Sequence, residues 1–365
     1  IMRREFGTIS EVRRGELYRV FWQENGKKRS HHVRGTRADA SKYLAMVQSG
    51  VSGIAKDSIT FAEYWEAVVL PSCANLSEKT VSEYVRLWER EMAPKIGARQ
   101  VAKTKPQAVQ ALIDGIEAPC VQRKVKMLMH KICRMAVERD GILDRNPVTR
   151  DIVLREHVRR EKTLVTVDGV AGFMEAIRGL KIEPVLLFEL GGGLSPEEAC
   201  ALTWEDVSFD DGYCFANVSK TLVTVNGRKL LQYKAKNRFR IRECVIGKPF
   251  SVRLEELAAT GPICKGAAYR AGTELSEESF ASPVTLTHNW RAWCERHGMA
   301  YVSQENMRSS FATMHGEAGS PDSLVSMAMG HSDGTTRGRN YQQSTRRGMM
   351  LIADMLEDVI GDSTL

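Results

Sequence analysis

The chain has 365 residues, with 43% hydrophobic and 27% charged side chains, enough apolar material for two or three packed domains and too much for a disordered chain. No apolar run reaches 18 residues, so no membrane-spanning helix is expected, and IMRREFGTIS at the start lacks the apolar segment of a signal peptide. Eight cysteines without a C-x-x-C pair read as reduced thiols of a cytoplasmic protein rather than a disulfide framework or a zinc site. The net charge of +7 is unevenly spread: residues 1–50 hold 11 Lys and Arg against 5 Asp and Glu, residues 51–164 hold 20 against 15, and residues 165–365 hold 21 against 25. A basic N-terminal half on a mildly acidic remainder points to a polyanion, with double-stranded DNA as the first expectation and an unevenly charged surface as the plain alternative.

In chain order, residues 6–34 predict a small sheet. Tyr18, Val20 and Trp22 alternate with Leu17, Arg19 and Phe21, and Gly15 and Asn25-Gly26 mark turns. Thr36 with Asp39 predicts a capped helix carrying an Ala40, Tyr43, Leu44, Val47 stripe and ending at Ser49-Gly50. Arg13, Arg14, Arg19, Lys27, Lys28 and Arg29 are this module's candidate DNA contacts. Residues 58–150 predict four helices: one opened by Thr60-x-x-Glu63 and stopped at Pro71, then stripes at Val81–Met92, Val109–Ile116 and Val121–Ala136. The fourth also carries Arg123, Lys124, Lys126, Lys131 and Arg134, either a solvated face or a face that follows phosphates. Residues 150–162 read as a charged linker whose Arg155, Arg159, Arg160 and Lys162 have the same two readings.

From about residue 163 the pattern is mixed. Helices are expected near 167–178, 183–190, 251–258, 286–296, 306–316, 321–329 and 346–360. Strands are expected at Tyr213–Val218, Thr221–Val225 and Arg228–Tyr233, the last two joined by an Asn226-Gly227 hairpin turn. There is no phosphate-binding P-loop, no Rossmann glycine pattern and no H-E-x-x-H.

Four stretches carry the chemistry: GGGLSPEEACALTWEDV (191–207), YKAKNRFRIRECVI (233–246), ENMRSSFATMHGEAG (305–319) and MGHSDGTTRGRNY (329–341). Their order and spacing resemble the tyrosine recombinase (phage integrase) family, and the resemblance spans nearly the whole chain. It implies a multidomain α+β protein. Residues 1–50 would be an arm-type module of sheet plus helix, 58–150 an all-α core-binding bundle, and 163–365 a mixed, mainly α catalytic domain with a β-hairpin sheet. It implies DNA cutting and rejoining through a 3'-phosphotyrosine, with no metal or other cofactor.

A tyrosine hydroxyl that attacks a phosphodiester needs fixed cations around the nonbridging oxygens and an acid for the leaving oxygen. The resemblance assigns Tyr341 as nucleophile, Arg308 and His331 as donors to the scissile phosphate, and Lys236 as general acid, with Lys234 as its alternative. Arg238, Arg240 and Arg242 alternate with Phe239 and Ile241, which predicts three cations on one strand face, solvated or turned toward DNA.

Two positions depart from the family pattern. Ser195 stands where the first motif has arginine, and locally it reads as a helix N-cap followed by Pro196 and a capping-box glutamate. Glu305 stands where the third motif has His or Lys. The first expectation is therefore a site-specific recombinase or integrase of a phage or mobile element. The alternative is a recombinase-derived DNA-binding protein with weak or no catalysis, and a monomeric topoisomerase ranks third. The apolar side of the last helix (Ile352, Met355, Leu356, Val359, Ile360) reads either as a helix closing its own domain or as a contact in a DNA-dependent homo-oligomer.

Overall fold

A computed structural model describes residues 7–13, 15–24, 27–48, 58–156, 161–233, 241–331 and 345–363. The chain divides into two compact units, Ile1–Arg159 and Arg160–Leu365.

The first unit opens with three antiparallel strands, β1 (Gly7–Arg13), β2 (Leu17–Glu24) and β3 (Lys27–Arg34), in the order β1-β2-β3. Helix α1 (Arg37–Gln48) follows. The alternation along β2 sets the sheet's inner face: Tyr18 and Val20 are buried with Ala40 of α1. Asp39 accepts from the Thr36 N–H at 2.8 Å and fixes the entry to α1. The expected stop at Ser49-Gly50 lies outside the described residues.

The helical part begins with α2 (Phe61–Tyr64), capped by the Thr60–Glu63 box and prolonged by a π segment, Trp65–Val69, into Leu70–Ser72. Next come α3 (Glu78–Leu87), prolonged through Trp88–Met92 and Ala93–Ile96, α4 (Pro106–Asp114) and α5 (Pro119–Glu138). Their stripes meet in one core, where the Trp65 and Trp88 rings stack at 4.9 Å. The expected linker starts later than its charge suggested. Ile152 is buried against this core, and buried Gln122 accepts the Arg155 N–H at 2.7 Å. Residues 157–160 are not described.

The second unit is mixed α+β. Helix α6 (Val170–Ile177) precedes α7 (Glu183–Gly192), which is buried on every side and forms the centre of the core with Val185, Leu186, Leu187, Phe188 and Leu190. A single turn, α8 (Pro196–Ala199), leads to β4 (Val207–Asp210) and β5 (Tyr213–Val218). The hairpin β6 (Thr221–Val225) and β7 (Arg228–Gln232) turns at Asn226 and Gly227, both at positive φ, as the Asn-Gly pair predicts. Strand β8 (Arg242–Ile246) then returns beside β5, giving a sheet of order β4-β5-β8.

Helices α9 (Phe250–Glu256), α10 (Pro283–His297), α11 (Gln304–Glu317), α12 (Asp322–Ala328) and α13 (Arg346–Ser363) complete the unit. Of the two readings of the last helix, its apolar side takes the first: Ile352, Leu356 and Ile360 are buried in their own unit.

Candidate active site

The site begins where α7 ends. Gly193 stops that helix at φ +62°, and a side chain there would meet the Phe311 ring at 2.7 Å, so the position needs glycine. The chain turns and restarts at Ser195, the N-cap of α8, with Pro196 at the first helical position. Glu198 reaches back to accept the Ser195 N–H at 2.9 Å, so the local capping role expected of Ser195 is what the fold uses.

Glu198 does more than cap. Its carboxylate has no solvent exposure, and a buried carboxylate must find cations or donors. Two guanidiniums meet it. Arg242, at the start of β8, forks onto it with bonds of 3.1 and 3.2 Å. Arg308, in the second turn of α11, approaches to 3.5 Å.

Both arginines also bind the end of α12, where helix carbonyls lack internal partners. Arg242 Nε donates to the Ala328 carbonyl at 2.5 Å, and Arg308 donates to the Met329 carbonyl. Arg308 further donates to the Gly193 carbonyl at 2.8 Å, and its second terminal nitrogen lies 2.9 Å from His331 Nε2. Arginine offers only donors, so Nε2 accepts and the proton of a neutral His331 sits on Nδ1. Arg308 and His331 are thus brought together as the motifs predict, with Arg308 buried and His331 exposed.

Arg242 corrects an expectation. It does not stand on an open strand face with a row of cations, for it is buried and bidentate on Glu198. The reason is the period of β8: Arg242 shares the inward face with Cys244 and Ile246, whereas Glu243 points outward to Arg346. Glu198 itself was read only as a cap, because sequence spacing cannot reveal partners 44 and 110 residues away. The usable signal was Arg242 sharing the two-residue period of an apolar strand.

Glu305 sits exposed in the first turn of α11, three residues before buried Arg308, where a carboxylate suits the helix N-terminus. Its neighbour Gln304 is buried and donates to Glu189 of α7 at 2.9 Å. Burial pushes the Glu189 carboxyl well above the usual carboxylate range, so it stays protonated. Burial lowers His315, at the far end of α11, to about 4. Tyr341, Lys236, Lys234, Arg238 and Arg240 lie outside the described residues. No cluster of three metal-ligating side chains occurs among the described residues.

The candidate DNA contacts of the first unit divide. Arg19 and Lys28 are exposed, and Arg19 bonds Ser30 at 3.1 Å and lies over the Phe21 ring. Arg13 is exposed beside Glu16 at 3.7 Å. Arg14 is not described, and Lys27 and Arg29 are placed on β3 by their backbone alone. On α5, Arg123 and Arg134 are exposed. Lys124 pairs with Glu83 of α3 at 2.5 Å, and Lys131 lies over the Tyr84 ring.

No protein-family model and no curated protein sequence matches the chain. Solved structures do. The Tn1549 transposon integrase in complex with a circular intermediate DNA matches at a TM-score of 0.61 over 82% of this chain and 100% of that one, with 17% identity. The chain has the fold of an integrase. A lambda integrase dimer bound to a COC' core site gives 0.54 over 94% and 99% of the two chains at 14% identity, and a lambda integrase tetramer bound to a Holliday junction gives 0.54 over 92% and 98%. The integrase fold is what the four motifs implied. Among the described residues no helix is long and apolar enough to cross a membrane.

Proposed function

We propose that the chain is a site-specific DNA recombinase of a phage or mobile element, acting as an integrase on double-stranded DNA. The observation that carries this reading is the Arg308–His331 pair, two phosphate-binding groups 2.9 Å apart, held on a buried carboxylate where the motifs put them. In the proposed reaction Tyr341 Oη attacks the phosphorus and its proton leaves with a base or water. A P–O bond to tyrosine forms and the P–O bond to the leaving sugar breaks. Lys236, or Lys234, gives that sugar oxygen a proton. Arg308 and His331 hold the nonbridging oxygens as their charge grows. Because the phosphotyrosine bond conserves the phosphodiester's energy, the reverse attack by a sugar hydroxyl rejoins the strand without ATP.

Residues 1–50 and 58–150 serve in this reading as arm-type and core-binding modules around the catalytic residues 163–365. The DNA complexes, dimer and tetramer of the integrases that share the fold support a DNA partner and DNA-dependent assembly. Since α13 is spent on its own unit, such assembly would use other surfaces.

One observation favours a second reading, a DNA-binding protein that cuts weakly: Ser195 is committed to its cap, and Glu305 adds a carboxylate one turn before Arg308. The test is a nicked suicide duplex built from the repeat that flanks the gene, resolved on a denaturing gel. A covalent protein–DNA band that vanishes in Tyr341→Phe supports cutting. A band that persists in the variant refutes the choice of tyrosine, and no band with intact binding supports the second reading.

A further inference from the structure

The integrase reading uses Arg308 and His331 and leaves buried Arg242 without a part. We propose that Arg242 is the positioning residue of this site: it neutralises Glu198 and clamps the end of α12, so that Arg308 keeps its charge for a phosphate and His331 keeps its place. The proposal rests on the DNA-acting reading and concerns the same pocket.

The charge count makes the case. Glu198 carries −1 and is fully enclosed, while Arg242 and Arg308 carry +1 each, so the cluster is net +1. The sharing is unequal. Arg242 takes the carboxylate with two bonds, 3.1 Å to Oε1 and 3.2 Å to Oε2. Arg308 makes only the long 3.5 Å contact. The strong bidentate pair is therefore Arg242–Glu198, and Arg308 is the guanidinium left with surplus charge. A carboxylate facing Arg308 alone would hold it in an ion pair and cancel that charge, since attraction between unit charges is strong where water is excluded.

The second half of the role is mechanical. The Ala328 and Met329 carbonyls are consecutive, the first held by Arg242 and the second by Arg308. Two residues later stands His331, beyond Gly330 at φ +68°. Arg242 thus ties β8, α8 and the end of α12 to one point. Burial keeps it from reaching a phosphate itself, with only 3% of its side chain exposed against 11% for Arg308. In a chain with Ser195 in place of a first-motif arginine, this arrangement also determines whether the pocket carries any net positive charge from its described residues.

The experiment reads two quantities on the flanking-repeat duplex: the slope of log K against log [salt], and the rate of covalent trapping. Each phosphate contact contributes about 0.9 to the slope. Arg308→Met should lower it by about 0.9. Arg242→Met should lower it equally, because Glu198 then captures Arg308, and the two changes together should still cost about 0.9. Trapping in Arg242→Met should fall by about 10–100-fold, the usual cost of losing a group that orients a functional side chain. Adding Glu198→Gln to Arg242→Met should restore the slope, and this double variant should fold even where Arg242→Met does not, since it leaves no unpaired buried charge.

A combined loss of about 1.8 would show that Arg242 touches a phosphate and overturn the proposal. So would an unchanged slope in a folded Arg242→Met, or failure of Glu198→Gln to restore it. If the slopes follow the pattern but the wild type traps no DNA, strand cutting fails and the role of Arg242 stands. A wild-type slope of zero would reject both.

Discussion

The two units of this chain use cations in opposite ways. On α5 and the β1-β2-β3 sheet they stand at the surface, alone or in single pairs such as Lys124–Glu83, whose side chains are 52% and 37% exposed. In the second unit Arg242 and Arg308 are buried on a single carboxylate and on helix-end carbonyls. Surface charge attracts a polyanion at long range and is screened by salt, whereas a buried guanidinium has fixed geometry and is worth most where charge develops in a reaction. The difference separates binding from chemistry, and mutations should separate them too.

The largest effect should come from Arg308. Arg308→Met removes the donor to both the phosphate and His331 and leaves the Gly193 and Met329 carbonyls without their partner. Strand cleavage should fall by about 10³–10⁵-fold, the range for loss of a phosphate-clamping arginine. Binding should weaken only by one contact. Equal losses in both, by single-turnover trapping and by filter binding, would erase the contrast between the units.

Next comes the pair of departures. Ser195→Arg with Glu305→His would add two cations beside the pocket and remove a carboxylate. If those positions limit catalysis, the double variant should cleave faster than the two single changes combined predict. Loss of the Ser195 cap should cost roughly 0.5–2 kcal/mol, read as an earlier thermal transition. Slower cleavage in the double variant would mean that another group already supplies the missing charge.

Much of the scaffold was legible in advance. Periodicity placed the helices of both units within a few residues, Asn226-Gly227 gave the hairpin, and Thr60–Glu63 and Ser195–Pro196 gave helix starts. These are local signals. What the sequence hid is non-local. Arg242 looked like one of a row of exposed cations because alternation defines a face without saying whether it points inward. Glu198 looked like a cap because its other partners come from β8 and α11. The short strand β4 also went unread, being too brief to show a period.

The third effect is on stability, with its sign set by burial. His315 is buried, bonded through Nδ1 to Ser320 at 3.0 Å, and its pKa is lowered to about 4. A folded pKa below the unfolded value of about 6.5 means the unfolded chain binds the extra proton first, so stability is full above pH 6.5 and falls as pH drops toward 4. The loss should approach about 3 kcal/mol at pH 4. Urea unfolding across that range should show it, and His315→Gln should flatten the dependence. Glu189 acts with the opposite sign. Its raised pKa favours the fold at low pH and that contribution is lost as pH rises above about 4.5, so Glu189→Gln should stabilise the protein more at pH 8 than at pH 5.

The smallest effect belongs to Lys124 and sharpens the comparison most. As an exposed pair, Lys124–Glu83 should contribute under about 1 kcal/mol by a double-mutant cycle with Lys124→Met and Glu83→Gln. Its value lies in what the lysine does when DNA arrives. A phosphate competes with Glu83 for the same ammonium. If Lys124 turns to the DNA, Lys124→Met should lower the salt slope by about 0.9, and Glu83→Gln should strengthen binding by freeing the charge. If the pair holds, neither change should move the slope, and Lys124 simply ties α5 to α3. Exposed Arg123 is the internal control: one position earlier on α5, with its cation at the surface, Arg123→Met should lower the slope by about 0.9 if this end of the helix meets DNA at all. A slope lowered by Arg123→Met and untouched by Lys124→Met would divide the basic run of α5 into a DNA contact and a structural tie, the same division that Arg308 and Arg242 make in the second unit.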